Sequence, residues 1–221
     1  MNNEYEKLLN KLDSDEFHDS DSFIRDGIIS LDDWNSVPLK ILFFNKEAYS
    51  KKNPRYDLRE DLRGSAPFNS WWSATRWIYL LFKLYENIDL HVDIPVLKWQ
   101  DANKLIRRVA TINIKKSKGK SVSDNNELNN YLNHDGSLLK QQIELINPNI
   151  IMCGKVFHFY KNLYNTDKFI KLTEKAYLHN DRLIIDFWHF ANRKKKELVF
   201  MELQKILKAP MVSDYITSLK A

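Results

Sequence analysis

The feature that most constrains this chain is a repeated pattern: a short, wholly apolar run, then polar chain, then a longer segment with helical spacing. The runs are Leu39 to Phe44, Arg107 to Ile114, Ile150 to Cys153 and Leu183 to Phe187. Short runs that are apolar throughout, rather than alternating, suit strands covered on both faces. Between them, Trp71 to Glu86 has the length and spacing of a buried helix. Leu138, Leu139, Ile143 and Ile146 line another that Pro148 stops, and a further helix starts near Lys194. No hairpin signal separates the runs. This order predicts an α/β fold, a three-layer α/β/α sandwich around a central, mainly parallel four-stranded sheet. The 221 residues suit a single domain, 1–221. Residues 1–37 read as an N-terminal helical extension, opening with Tyr5, Leu8, Leu9 and Leu12 on one helical face.

Several function classes are disfavoured at once. The single cysteine, Cys153, sits in an apolar run, so it forms no intrachain disulfide and fits a reducing, cytoplasmic setting. No run approaches the roughly 20 apolar residues that span a bilayer. The histidines His18, His91, His134, His158 and His179 lack the spacing of metal ligands, so neither metal nor cofactor is expected. No Gly-x-Gly-x-x-Gly follows the first run, which argues against a dinucleotide site. Trp71, Trp72 and Trp77 lie at helical spacing and read as core. The net charge of +5 is unevenly spread. Glu16, Asp19, Asp21, Asp32 and Asp33 make the start acidic, whereas Lys115, Lys116, Lys118 and Lys120 form one basic run and Arg193 to Lys196 another. Those runs are candidate phosphate contacts, although a lysine run is more often a solvated face.

Parallel sheets bind ligands at the carboxyl ends of their strands. The residues placed there are Asn45-Lys46-Glu47, Asn113, Gly154 and Trp188-His189. A carboxylate, an amide and an imidazole therefore converge on one end of the expected sheet.

These segments resemble the signature motifs of the uracil-DNA glycosylase superfamily. The family's first motif is a strand followed by Gly-Gln-Asp-Pro-Tyr-His, and here Leu39 to Phe44 is followed by Asn45-Lys46-Glu47-Ala48-Tyr49-Ser50. A strand ending in a base-binding Asn corresponds to Val109 to Asn113. A helix, Pro, strand and Gly correspond to Ile143 to Gly154, and a strand followed by His-Pro-Ser corresponds to Leu183 to Phe187 and then Trp188-His189-Phe190-Ala191. The likeness covers roughly residues 38–205. It is closer to a divergent prokaryotic branch carrying Lys-Glu after the first strand and then an Asp-Leu-Arg segment, here Lys46-Glu47 and Asp57-Leu58-Arg59 after Tyr56. That branch includes glycosylases acting against phages that hypermodify cytosine.

The resemblance implies a monofunctional DNA glycosylase that flips a pyrimidine out of the stack and cuts its bond to deoxyribose. Bond rupture builds positive charge on the sugar and negative charge on the base. Glu47 would hold water and face the cationic sugar, and His189 would donate to the base O2. Asn113, with Tyr49, Asn45 and Tyr56, would bind the base. Lys46, Lys115, Lys116, Lys118, Arg193 and Lys194 would grip the DNA backbone. Lys46, Ala48 and Ser50 replace the Gln, Pro and His of uracil-specific enzymes, and the last motif lacks Pro and Ser. These departures favour a modified base, such as glucosylated hydroxymethylcytosine of phage DNA. Ordinary uracil repair and a non-catalytic nucleic-acid-binding module on the same fold are the alternatives. Neither membrane association nor an obligate protein partner is expected.

Overall fold

The computed structural model describes residues 2–18, 21–48, 55–64, 71–90, 93–119, 123–165 and 168–220. Tyr49 and Lys120, both singled out above, lie outside the described residues.

The chain begins with α1 (Asn2–Asp13), β1 (Ile24–Arg25), β2 (Gly27–Ile28), α2 (Leu31–Ser36), β3 (Ile41–Asn45) and β4 (Tyr56–Asp57). It continues through α3 (Leu58–Gly64), α4 (Trp71–Tyr85), α5 (Trp99–Arg107), β5 (Ala110–Asn113), α6 (Asn125–Ile146) and β6 (Ile150–Gly154). The last elements are α7 (Phe157–Tyr164), β7 (Ile170–Thr173), β8 (Ala176–His179), β9 (Arg182–Phe187), α8 (Lys196–Leu207) and α9 (Pro210–Ser218).

The four apolar runs form adjacent parallel strands in the order β5-β3-β6-β9. Their middles are fully buried at Leu42, Phe44, Ile112, Ile151 and Ile184, as strands covered on both faces require. The sheet is nonetheless seven-stranded, not four-stranded. Antiparallel β2 flanks β5, and the antiparallel pair β8-β7 extends the sheet beyond β9. Strand β7 is too exposed and polar to register as an apolar run. The β8-β9 turn did carry a signal: Asn180 and Asp181 both adopt positive φ, 48° and 55°, the conformation that tight hairpins demand and that Asn and Asp tolerate.

The second run is also shorter than expected. Ala102 and Ile106 bury themselves at helical spacing, so Arg107 ends α5 and the strand begins at Ala110. Residues 1–37 hold the helices α1 and α2 and also the short strands β1 and β2. Leu9 and Leu12 are fully buried in the same core as the strands, and β2 is itself a strand of the sheet.

The chain leaves β3 through α3, α4 and α5 to reach β5 on one side, then returns through α6 to β6 on the other. Because parallel crossovers are right-handed, opposite travel puts the two helix groups on opposite faces. The packing agrees: α4 contacts α5, α8 and α9, whereas α6 contacts α1 and α7. The reversal makes a switch point between the carboxyl ends of β3 and β6, the place where a crevice forms in open α/β sheets and ligands bind. Among the described residues, no helix is long and apolar enough to cross a membrane. Trp71 and Trp77 are core residues, packed against Phe190 and Phe187 respectively.

A candidate active site at the carboxyl ends of the parallel strands

Asn45 closes β3 opposite Asn113 of β5, so both amides stand at the same level on neighbouring strands. The Asn45 Nδ2 donates to Thr111 Oγ1 at 3.2 Å, whereas its Oδ1 is buried with no hydrogen-bond partner among the described residues. Gly154 ends β6 beside it. A Cβ built on Gly154 would lie 2.6 Å from Asn45 Oδ1 and 3.1 Å from His189 Cδ2, so glycine is what lets these two side chains meet. Lys155 follows with φ of 63°, a left-handed conformation that costs a non-glycine residue about 1 kcal/mol. Its N–H donates to the carbonyls of Cys153 and Phe187, which holds the strained turn in place at the mouth of the crevice.

His189 lies two residues beyond β9. Its Nδ1 accepts a hydrogen bond from the Ala191 backbone N–H at 3.2 Å. Burial, reinforced by the Lys46 charge, pushes the imidazole down to about 4. At neutral pH the ring is therefore uncharged, and with Nδ1 acting as acceptor its one proton resides on Nε2. The strand end thus carries a neutral N–H donor whose tautomer is fixed by the backbone.

Glu47 lies two residues beyond Asn45. The chain after β5 continues alongside it: Ile114 and Lys115 donate to the carbonyls of Asn45 and Lys46, and Gly119 donates to that of Ala48. Gly119 packs so closely that an added Cβ would sit 2.6 Å from Glu47 Cγ. Lys115 Nζ lies 3.6 Å from the Glu47 carboxylate and 2.6 Å from that of Glu127, and the side chains of Lys115 and Glu47 are each only 5% exposed. Lys115 is therefore a buried counter-charge to Glu47, not a surface contact for phosphate.

Lys116 departs further from expectation. It is fully buried, and its Nζ donates to Asp26 Oδ1 at 2.7 Å and to Gln142 Oε1 at 2.8 Å. Burial lowers its pKa, with Asp26 opposing the shift. Such a lysine cannot reach a phosphate. Its side chain is buried because residues 114–119 run between residues 45–48 and the segment Phe23–Ile24 instead of looping through solvent.

Asp26 is the residue that sequence reasoning missed. It accepts from Asn113 N at 2.7 Å, from Asn113 Nδ2 at 3.2 Å and from Gln142 Nε2 at 3.0 Å, while Tyr5 Oη donates to its backbone carbonyl at 3.0 Å. A carboxylate accepts only, so the Asn113 amino group must face Asp26. In the sequence, Asp26-Gly27 has the appearance of a turn. Gly27, with φ of 130°, is needed because the Tyr5 hydroxyl occupies the space its Cβ would fill.

Tyr56 is half-buried in β4, which pairs with β1 instead of joining the main sheet; burial raises its phenol pKa. Lys118, Arg193 and Lys194 are exposed. Lys194 has company that the sequence did not suggest. Its Nζ lies 3.9 Å from the Trp188 ring centroid, Lys155 Nζ lies 3.7 Å from it and Lys175 Nζ 5.4 Å. The Trp188 indole is anchored by donating to Glu202 at 2.8 Å. Three cations thus gather on one indole next to His189.

No family model matches the sequence, and no curated protein is detectably similar to it.

Proposed function

We propose that this chain is a monofunctional DNA glycosylase that removes a flipped pyrimidine and leaves an abasic site. The observation that carries the reading is His189: a neutral imidazole, tautomer-locked by Ala191 N–H, offering Nε2–H beside the crevice between β3 and β6. Heterolysis of the C1′–N bond sends the bonding electrons to the base, and its O2 becomes anionic. A fixed neutral donor stabilises that oxygen without surrendering a proton, an effect typically worth about 3 kcal/mol. The oxocarbenium sugar is favoured by the Glu47 carboxylate; water then adds to C1′ and its proton passes to Glu47 or to solvent. Asn113 reads the base edge. With its amino group turned to Asp26, the carbonyl Oδ1 is the atom free to accept from a base N–H.

The lysines around Trp188, with Lys46, Lys118 and Arg193, supply positive charge on the same end of the sheet, where a flipped nucleotide's phosphates would lie. The departures from uracil-specific motifs at Lys46, Ala48 and the final motif support a modified pyrimidine, with glucosylated hydroxymethylcytosine of phage DNA the leading case and antiviral defence the corresponding role.

The test incubates the full chain with uracil-containing, unmodified, and glucosylated hydroxymethylcytosine DNA, followed by alkali to cut abasic sites. Strand breaks confined to one modified substrate, abolished in His189→Ala and Glu47→Ala, are expected. Intact strands in all three, with folded protein, refute the enzyme; DNA binding that survives in both variants would then identify a binding module.

A further inference from the structure

A second cluster of functional side chains lies away from the strand ends. His18, in the segment after α1, and the pair His134-Asp135, in the first half of α6, are 117 residues apart between His18 and Asp135, yet their side chains meet. His18 Nε2 is 3.2 Å from Asp135 Oδ1, and His134 Nδ1 is 2.8 Å from the same oxygen. All three donor atoms lie within 4.8 Å of one another. Around a zinc ion with bonds of about 2.0–2.1 Å, the edges of a tetrahedron of ligands are about 3.3 Å, close to the two separations found.

The surroundings fit a built site. The side chains of His18 and Asp135 are wholly buried, and within them His18 Nδ1 and Asp135 Oδ2 have no hydrogen-bond partner among the described residues. A buried carboxylate with an unmatched oxygen is costly unless a cation neutralises it. The other nitrogen of His134, Nε2, lies 3.6 Å from Asp15 Oδ1, which puts a second carboxylate on the outer side of that ring. Phe17 stacks flat on the His134 ring at 4.0 Å, and Phe23 meets His18 edge-on at 5.4 Å, so each imidazole packs against an aromatic ring.

We propose that His18, His134 and Asp135 bind a first-row transition dication, zinc by the chemistry of the donors, which fastens the segment after α1 to α6. Two imidazoles and one carboxylate, two of the three buried, suit zinc better than the oxygen-seeking magnesium or calcium. The site is structural in effect. It closes the chain between α1 and the strand β1 over the helix that supplies Gln142 to the Asp26 network.

Its test does not depend on the glycosylase reading. The full chain is stripped with a chelator and titrated with Co2+, then with Zn2+, following visible absorbance and thermal melting. One equivalent of Co2+ with a four-coordinate d–d band that Zn2+ abolishes is expected. Free zinc at one hundred times its Kd should raise the folded-to-unfolded ratio about 100-fold. His134→Ala, at the half-exposed rim and therefore tolerated by the fold, should lose both responses, as should Asp135→Asn. Absence of the band and of any zinc-dependent melting shift in folded wild-type protein overturns the proposal. So does undiminished Co2+ binding by folded His134→Ala, which would place the metal elsewhere.

Discussion

Asp26 holds Asn113 by two hydrogen bonds, one to the backbone N–H at 2.7 Å and one to the side-chain amide at 3.2 Å. One buried carboxylate thus fixes both the end of β5 and the direction of the Asn113 amide. The same carboxylate neutralises Lys116, so the orientation of that amide and a buried ion pair share one atom group.

Breaking that group should be expensive. Asp26→Asn leaves the Lys116 ammonium buried without its counter-charge and is expected to destabilise the fold by about 3–5 kcal/mol. Lys116→Met should also destabilise, but the double variant should lose less than the sum, because each single change strands the other partner. Urea unfolding of the three variants provides the cycle; strict additivity would show that the pair is not coupled.

The depressed His189 pKa makes a prediction about pH. Unfolded, a histidine titrates near 6.5; folded, this one titrates at about 4. Between those values the unfolded chain binds a proton that the folded chain does not. The His189 contribution is therefore fully present above about 6.5 and is lost as pH falls towards 4. Melting temperatures should fall less steeply over this window in His189→Gln than in wild type. Turnover should also survive to mildly acidic pH, since the neutral ring persists there; an activity loss centred near 6.5 would contradict the fixed neutral tautomer.

Gly154→Ala should impair the site directly. The new Cβ would lie 2.6 Å from Asn45 Oδ1 and 3.1 Å from the His189 ring, so one or both must move. Overpacking of this kind typically costs about 1–3 kcal/mol, and single-turnover excision should slow at least tenfold. Asn45→Ser in the same background opens space and should recover part of the rate. Full activity in Gly154→Ala would remove Asn45 and His189 from the chemistry.

The same logic applies to Gly119, whose added Cβ would press on Glu47 Cγ at 2.6 Å and on the Ala48 carbonyl oxygen at 3.0 Å. Gly119→Ala is expected to displace the Glu47 carboxylate from Lys115 and to lower kcat more than KM, because in the proposed reaction Glu47 acts on the transition state and not on the bound substrate. A KM effect alone would assign this segment to DNA binding.

Salt dependence distinguishes the lysines. Lys155→Ala and Lys194→Ala should each weaken DNA binding across sequences and reduce the slope of log affinity against log salt by about 1. The corresponding change at Lys115 should leave that slope alone, because its charge is spent on Glu47 and Glu127. Equal slopes for all three would move the DNA path away from Trp188.

Much of this molecule is written in local sequence. The parallel strands β3, β5, β6 and β9 follow from apolar runs whose hydrophobic side chains have nowhere to go but between two helical layers, and their order fixes which residues stand at the carboxyl ends. Glu47, Asn113 and His189 were legible for that reason. Strands β7 and β2 were not: β7 is half exposed and leaves no apolar period, and β2 is buried but only two residues long, too short to show one. What lay further out of reach was every relationship set by packing between distant segments. Lys115 and Lys116 look alike in the sequence as a basic run, yet one neutralises Glu47 and the other Asp26, because the chain there lies between residues 45–48 and Phe23–Ile24 and both side chains are buried. Asp26 becomes the partner of Asn113, and His18 the neighbour of His134 and Asp135, only when α1 and β2 close onto α6 and β5. Periodicity records how a segment buries its own surface; it carries no information on which buried charge meets which, and that was decided by the tertiary structure alone.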